Sequence, residues 1–136
     1  MFITTTTSRR TIHSRKPKVG APWLRSLLGD NFFGEVKFVG LSPNFARRDL
    51  KALELLTHTE ILRLDNSRLT DDDLVHLKEL TQLRVLGLSG TEVTDEGLGN
   101  LLGLTNLDLL TVNGTKVTAA GITKFHKALP GCGVSF

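Results

Sequence analysis

The sequence predicts an α/β solenoid of about four strand–helix units plus a terminal strand. Three observations predict it. The stretches "TEILRLDNSRLTDDDL", "LRVLGLSGTEVTDEGL" and "LDLLTVNGTKVTAAGI" begin 24 residues apart and keep apolar residues at the same offsets. Each stretch changes period midway: "LRVLGL" alternates with period two, as a strand does, and "DEGLGNLLGL" spaces its leucines as a short helix does. The third observation is composition: 40% of the 136 residues are hydrophobic, yet there are seven Phe, one Trp and no Tyr, so the core must be layered from leucine.

From the front, residues 1–21 carry Thr, Ser, Arg and Lys with little apolar content. They are expected to form a basic, disordered tail. Two other readings of this composition stay open: a transit peptide, if the host has such organelles, and a tether to nucleic acid or an anionic membrane. No apolar stretch of signal-peptide type is present. Residues 1–29 hold six basic side chains and no acid, whereas the remainder holds eleven Lys/Arg against fourteen Asp/Glu. The net charge of +3 therefore describes the tail and argues against a basic nucleic-acid-binding face on the domain. Residues 22–31 predict a short capping helix, with Pro22 at the first turn, then Trp23, Leu24, Leu27 and Leu28, then Gly29; Trp23 is expected to lie over the first unit.

The repeat domain is expected over 32–136. Its strand positions are Leu62/Leu64, Leu86/Leu88 and Leu110/Val112, followed by Leu69, Val93 and Val117. Helical positions are Leu74, Leu98 and Ile122, then Leu77, Leu101 and Phe125. An earlier, degenerate unit supplies Val36, Val39 and Leu41, then Leu50, Leu53 and Leu56, with one residue fewer in its loop. Such a unit cannot bury its apolar face alone; stacked copies cover one another. Asn44, Ser67, Thr91 and Thr115 follow the strands, where a small polar side chain is expected to bond backbone amides that lose water. Thr70, Thr94 and Thr118 predict helix N-caps, with Asp71 and Asp95 in the favourable first turn. Gly90 and Gly114 are expected in a backbone shape that a Cβ would strain. Val134 and Phe136, 24 residues after Leu110 and Val112, predict a fifth strand without its helix. Cys132 then falls at a partly covered strand edge. It reads better as a small residue that fits than as a reactive thiol, because no base or cation is placed beside it.

The spacing L-x-x-L-x-L-x-x-[N/S/T]-x-[L/V] resembles the leucine-rich repeat, and "GTEVTDEGL" is similar to bacterial members whose units read G-T-x-V-T-D-x-G-L. "PWLRSLLGDNFFGEVKFVGL" resembles the lead-in before such arrays. The resemblance implies a leucine-rich repeat solenoid, a right-handed βα superhelix with a parallel sheet on the concave face, and leaves function open, since the scaffold serves many partners.

In such a fold the residues between the strand leucines point out of the sheet in three lanes: Phe38, Ile61, Val85 and Leu109; then Gly40, Arg63, Gly87 and Thr111; then Ser42, Asp65, Ser89 and Asn113. The first lane is aliphatic where a soluble solenoid is usually polar, and exposed apolar stripes commonly mark interaction sites. The expected protein- or peptide-binding residues are Phe38, Ile61, Arg63, Asp65, Val85, Ser89, Leu109, Thr111 and Asn113. The alternative is that the first lane lies at the sheet margin, covered by loops or by the N-terminal segment.

No catalytic constellation, metal site or cofactor is expected. The histidines at 13, 58, 76 and 126 lack ligand spacing, and no P-loop, G-x-G-x-x-G or G-x-S-x-G occurs. Asp71–Asp73, Asp30, Asp49 and Glu54 read as surface charge. The expectation is a non-catalytic, cytoplasmic protein-interaction module with a protein or peptide partner, nucleic acid disfavoured and no transmembrane segment. The alternative is a structural fragment of a larger repeat family that has no ligand and self-associates through its solenoid ends.

Overall fold

The computed structural model describes residues 2–7, 10–15, 38–41 and 47–136. Among them a sheet runs in the order β2-β1-β3-β4-β5-β6-β7, with β3 (Phe38–Gly40), β4 (Ile61–Arg63), β5 (Val85–Gly87), β6 (Leu109–Thr111) and β7 (Gly133–Ser135) all parallel. The register follows the repeat: Val39 pairs Leu62, Leu62 pairs Leu86, Leu86 pairs Leu110, and Leu110 pairs Val134. A strand of three residues has a single inward position, and the leucine there is fully buried at 62, 86 and 110. Leu64, Leu88 and Val112 turn inward just beyond the strands. Among the described residues the buried apolar side chains from Val39 to Cys132 form a contiguous core.

β1 (Phe2–Thr7) and β2 (Arg10–Arg15) lie within the segment expected as a tail. They form an antiparallel hairpin, and β1 pairs β3 antiparallel, Thr5 opposite Val39. Charge dominates the sequence reading of this segment, but Ile3, Thr4 to Thr7, Thr11 and Ile12 are β-branched and favour extended backbone. The capping helix expected at 22–31, with Trp23, lies outside the described residues, as do Val36, Ser42 and Asn44.

The helical layer departs from a uniform set of short α-helices. Units one and two use 3-10 helices, Arg47–Leu55 and Asp71–Leu77. Unit three has a single α-turn, α1 (Asp95–Leu98), continued as 3-10 over Gly99–Leu101, and only unit four has a full α-helix, α2 (Ala119–Ala128). Asp-rich "DDDLVHL" and Gly-containing "DEGLGNL" are weak helix formers, whereas α2 carries alanines at 119, 120 and 128. Nothing in "RRDLKALEL" explains its tighter winding. On the inner face of this layer Leu50, Leu53, Leu74, Leu77, Leu98, Leu101 and Phe125 are buried; Val117 and Ile122, in the last unit, are only partly covered.

The turns behave as their chemistry requires, with one reversal. Gly90 (φ 69°) and Gly114 (φ 68°) occupy the left-handed region, and Asn66 (φ 58°) holds the same place in unit two. The hydroxyl column does not mainly accept from amides: Ser67, Thr91 and Thr115 donate to the carbonyls of Leu64, Leu88 and Val112 at 2.5, 2.7 and 2.7 Å. Only Thr115 also accepts an amide, from Val117 at 3.3 Å. The same carbonyls also accept the backbone N–H of Ser67, Thr91 and Thr115, at 3.4, 3.3 and 3.3 Å. β7 forms as expected, but Phe136 stays 67% exposed although its register position matches buried Val112.

Candidate functional site

Parallel pairing without a slip turns the sequence lanes into spatial rows, because a one-residue shift would move every side chain to the other face. Phe38, Ile61, Val85 and Leu109 are directly opposite one another across β3 to β6, and Gly133 follows on β7. The first three are half-buried and Leu109 is exposed at 39%. The row is therefore neither sealed core nor bare surface. Neighbouring strands lie about 4.8 Å apart, so it forms a continuous aliphatic ridge.

The second row runs Gly40, Arg63, Gly87, Thr111 and Ser135; the third, among described residues, runs Asp65, Ser89 and Asn113. These rows are wired together. Asp65 accepts the Ser89 backbone N–H on Oδ1 at 3.0 Å and the Arg63 Nε–H on Oδ2 at 3.0 Å. Ser135 Oγ donates to Asn113 Oδ1 at 3.2 Å. Gly87 makes the Asp65 arrangement feasible: a Cβ there would come within 2.7 Å of the carboxylate.

A polar ledge lies one and three positions before strands β4 to β6, and sequence reasoning missed it. Glu60, Gln82, Arg84, Asn106 and Asp108 line an open hollow of about 360 Å³. Arg84 and Asp108 form an ion pair at 2.7 Å, and Asn106 donates to the Thr81 carbonyl at 2.8 Å. The signal was present, since Arg84 and Asp108 occupy one repeat position in consecutive units, but attention fell on residues between the leucines.

Away from the sheet face, several titratable groups have structural partners. His76 Nδ1 lies 2.6 Å from Glu54 Oε1, and His58 contacts the Thr57 hydroxyl. Within Asp71–Asp73 the acids part company: Asp71 accepts from Thr94, Asp73 from the Thr70 amide and hydroxyl. No group of three metal-ligating side chains converges among the described residues. The Cys132 side chain is 1% exposed, and burial, aided by the nearby Asp108 charge, pushes its thiol pKa up. That is a packing cysteine and not an activated one. No helix among the described residues is long and apolar enough to cross a membrane.

Neither a family model nor a curated protein matches the sequence. Solved structures do match the fold. A leucine-rich repeat protein of Leptospira interrogans superposes with a TM-score of 0.52 at 23% identity, over 63% of this chain and 21% of that one. Internalin C2 of Listeria monocytogenes gives 0.58 at 22% identity, over 74% of this chain and 41% of its own. The actin-binding site 2 of leiomodin-1 gives 0.63 at 21% identity, over 89% of this chain and 82% of its own. The chain thus spans about a fifth of the Leptospira protein and two fifths of the internalin. With the register and the leucine spine described above, they establish the class: this is a leucine-rich repeat fold.

Proposed function

We propose that this chain is a non-catalytic interaction module that binds a protein or peptide along the outward, concave face of its short repeat sheet. The observation that carries this reading is the in-register row Phe38–Ile61–Val85–Leu109, apolar and incompletely covered, with Arg63, Asp65, Ser89, Thr111 and Asn113 beside it. Burying such a row against a partner gains roughly 25 cal/mol per Å², and the polar neighbours supply direction. Similarity to proteins of the same architecture, one of them a fragment described as an actin-binding site, supports a binding role in general and names no partner here. A cytoplasmic setting belongs to the same reading, in keeping with a chain that has a single cysteine.

The test is affinity capture with the full chain and with a triple variant, Ile61→Ser, Val85→Ser and Leu109→Ser. Capture of a discrete partner by the native chain and its loss in the variant, with circular dichroism unchanged, is the expected result. A variant that captures the same proteins refutes the reading. So does one that unfolds, because the row would then be core. Concentration-dependent self-association with no captured partner would favour a structural fragment instead.

A further inference from the structure

We infer that the partner segment presents a carboxylate to Arg63 while its aliphatic side chains rest on the row Ile61–Val85–Leu109. The inference deepens the proposed function and rests on it.

Arg63 is held in a fixed pose. Its Nε–H donates to Asp65 Oδ2 at 3.0 Å, and Asp65 is itself anchored through Oδ1 by the Ser89 backbone N–H at 3.0 Å. Both carboxylate oxygens thus already have donors. The exposures are unequal: the Asp65 side chain is 18% accessible and that of Arg63 is 62%. What the face offers a visitor is the positive member of the pair. The terminal guanidinium nitrogens make no hydrogen bond among the described residues, so two parallel N–H donors remain available.

That fork matches a carboxylate, which can accept both hydrogens at once. Gly40 and Gly87 flank Arg63 in its own row, the Phe38 ring lying over Gly40 and the Asp65 carboxylate over Gly87, so the neighbours in that row contribute no side chain of their own. On the far side of the aliphatic row, Arg84 and Asp108 neutralise each other at 2.7 Å and add no competing charge. The complementary ligand is therefore a protein segment with Asp or Glu close in space to Leu-, Ile- or Val-type side chains.

The sequence cannot show this, since it places Arg63 and Asp65 on one face without ranking their exposure. The difference lies in which member is buried.

A random-peptide phage library panned against the full chain, against Arg63→Gln and against the Ile61→Ser, Val85→Ser, Leu109→Ser variant tests it. The native chain is expected to enrich peptides that pair an acid with aliphatic residues. Neutralising the acid of a selected peptide (Glu to Gln, or Asp to Asn) should weaken binding to the native chain by about tenfold or more, read by fluorescence anisotropy. Binding to Arg63→Gln should not change with that neutralisation, and Arg63→Lys should restore part of the discrimination, because it keeps charge without the fork. Equal binding of acidic and neutral peptides by the native chain, or a library without a binder, overturns the inference. If the acid proves irrelevant while the triple variant still abolishes binding, the inference fails and the interaction face stands. If the triple variant binds every peptide as well as the native chain, the face itself is misassigned.

Discussion

Asp71 and Thr94, in consecutive repeats, are joined twice: the carboxylate accepts the Thr94 backbone N–H at 2.8 Å and its hydroxyl at 2.6 Å. Asp95 does the same to Thr118 one unit later, at 2.7 and 2.6 Å. The acid at the start of each helical turn thus fastens the start of the next, and Ala119 stands where the third such acid would be. The same contacts explain the glycine in "TDEGL". A Cβ on Gly97 would run into the Asp71 carboxylate, and one on Gly121 into that of Asp95.

Asp71→Ala should therefore lower stability by about 1–2 kcal/mol, because it deletes two bonds to a charged acceptor. Gly97→Ala should cost more in the native background than in Asp71→Ala, where the carboxylate is gone; Val93 remains close in both. Urea denaturation of the four proteins measures this coupling. Additive costs would show that the carboxylate does not hold that glycine place.

The Asp95 carboxyl is held below its ordinary pKa of 3.8, first by the Thr118 hydroxyl, then by the Thr118 amide, with Lys124 adding attraction and burial opposing. A folded pKa below the unfolded one means stability that is fully present above about 3.8 and lost as pH falls through the folded value. Asp95→Asn should be less stable than the native chain at neutral pH, and the gap should close in acid. A gap that stays constant from neutral to acid pH, in thermal unfolding, would contradict the assignment.

Gly114 and Gly90 share a left-handed φ but not their surroundings. A Cβ on Gly114 meets nothing closer than 3.9 Å, whereas one on Gly90 would strike the Asn66 side chain. Gly114→Ala should cost about 1–2 kcal/mol from backbone conformation alone, and Gly90→Ala more. Gly114→Asn should cost less than Gly114→Ala, since asparagine tolerates this region and already occupies it at Asn66. Thermal or urea unfolding ranks the three.

Cys132 is buried, and its pKa is raised by desolvation and by Asp108. Its reaction with a disulfide reagent at neutral pH should be slow in the native protein and fast in denaturant. Cys132→Ser should destabilise by about 1–3 kcal/mol, since the hydroxyl enters a leucine-lined space. Rapid native labelling would place the thiol at the surface.

The aliphatic lane shows how far a sequence reading reaches. Its membership follows from period two and an unslipped register, both legible without coordinates. Its half-burial was not legible, because exposure depends on where each side chain leans: Phe38 lies against Gly40 of the next row, and Leu109 leans toward Gly133 in its own. The hairpin β1–β2 escaped for a related reason, since its pairing on β3 joins segments far apart in the chain.

By itself the sequence determined the solenoid, the leucine spine, the strand register, the left-handed glycine turns and which residues share a lane. All of these arise from local periodicity, which burial of apolar side chains converts directly into stacking. Only the tertiary structure decided that Asp71 and Asp95 fasten the next repeat, that the turn hydroxyls serve carbonyls, and that Arg63 and not Asp65 faces solvent. Those outcomes depend on which polar groups the stacking leaves within about 3 Å of each other, a distance that no spacing along the chain encodes.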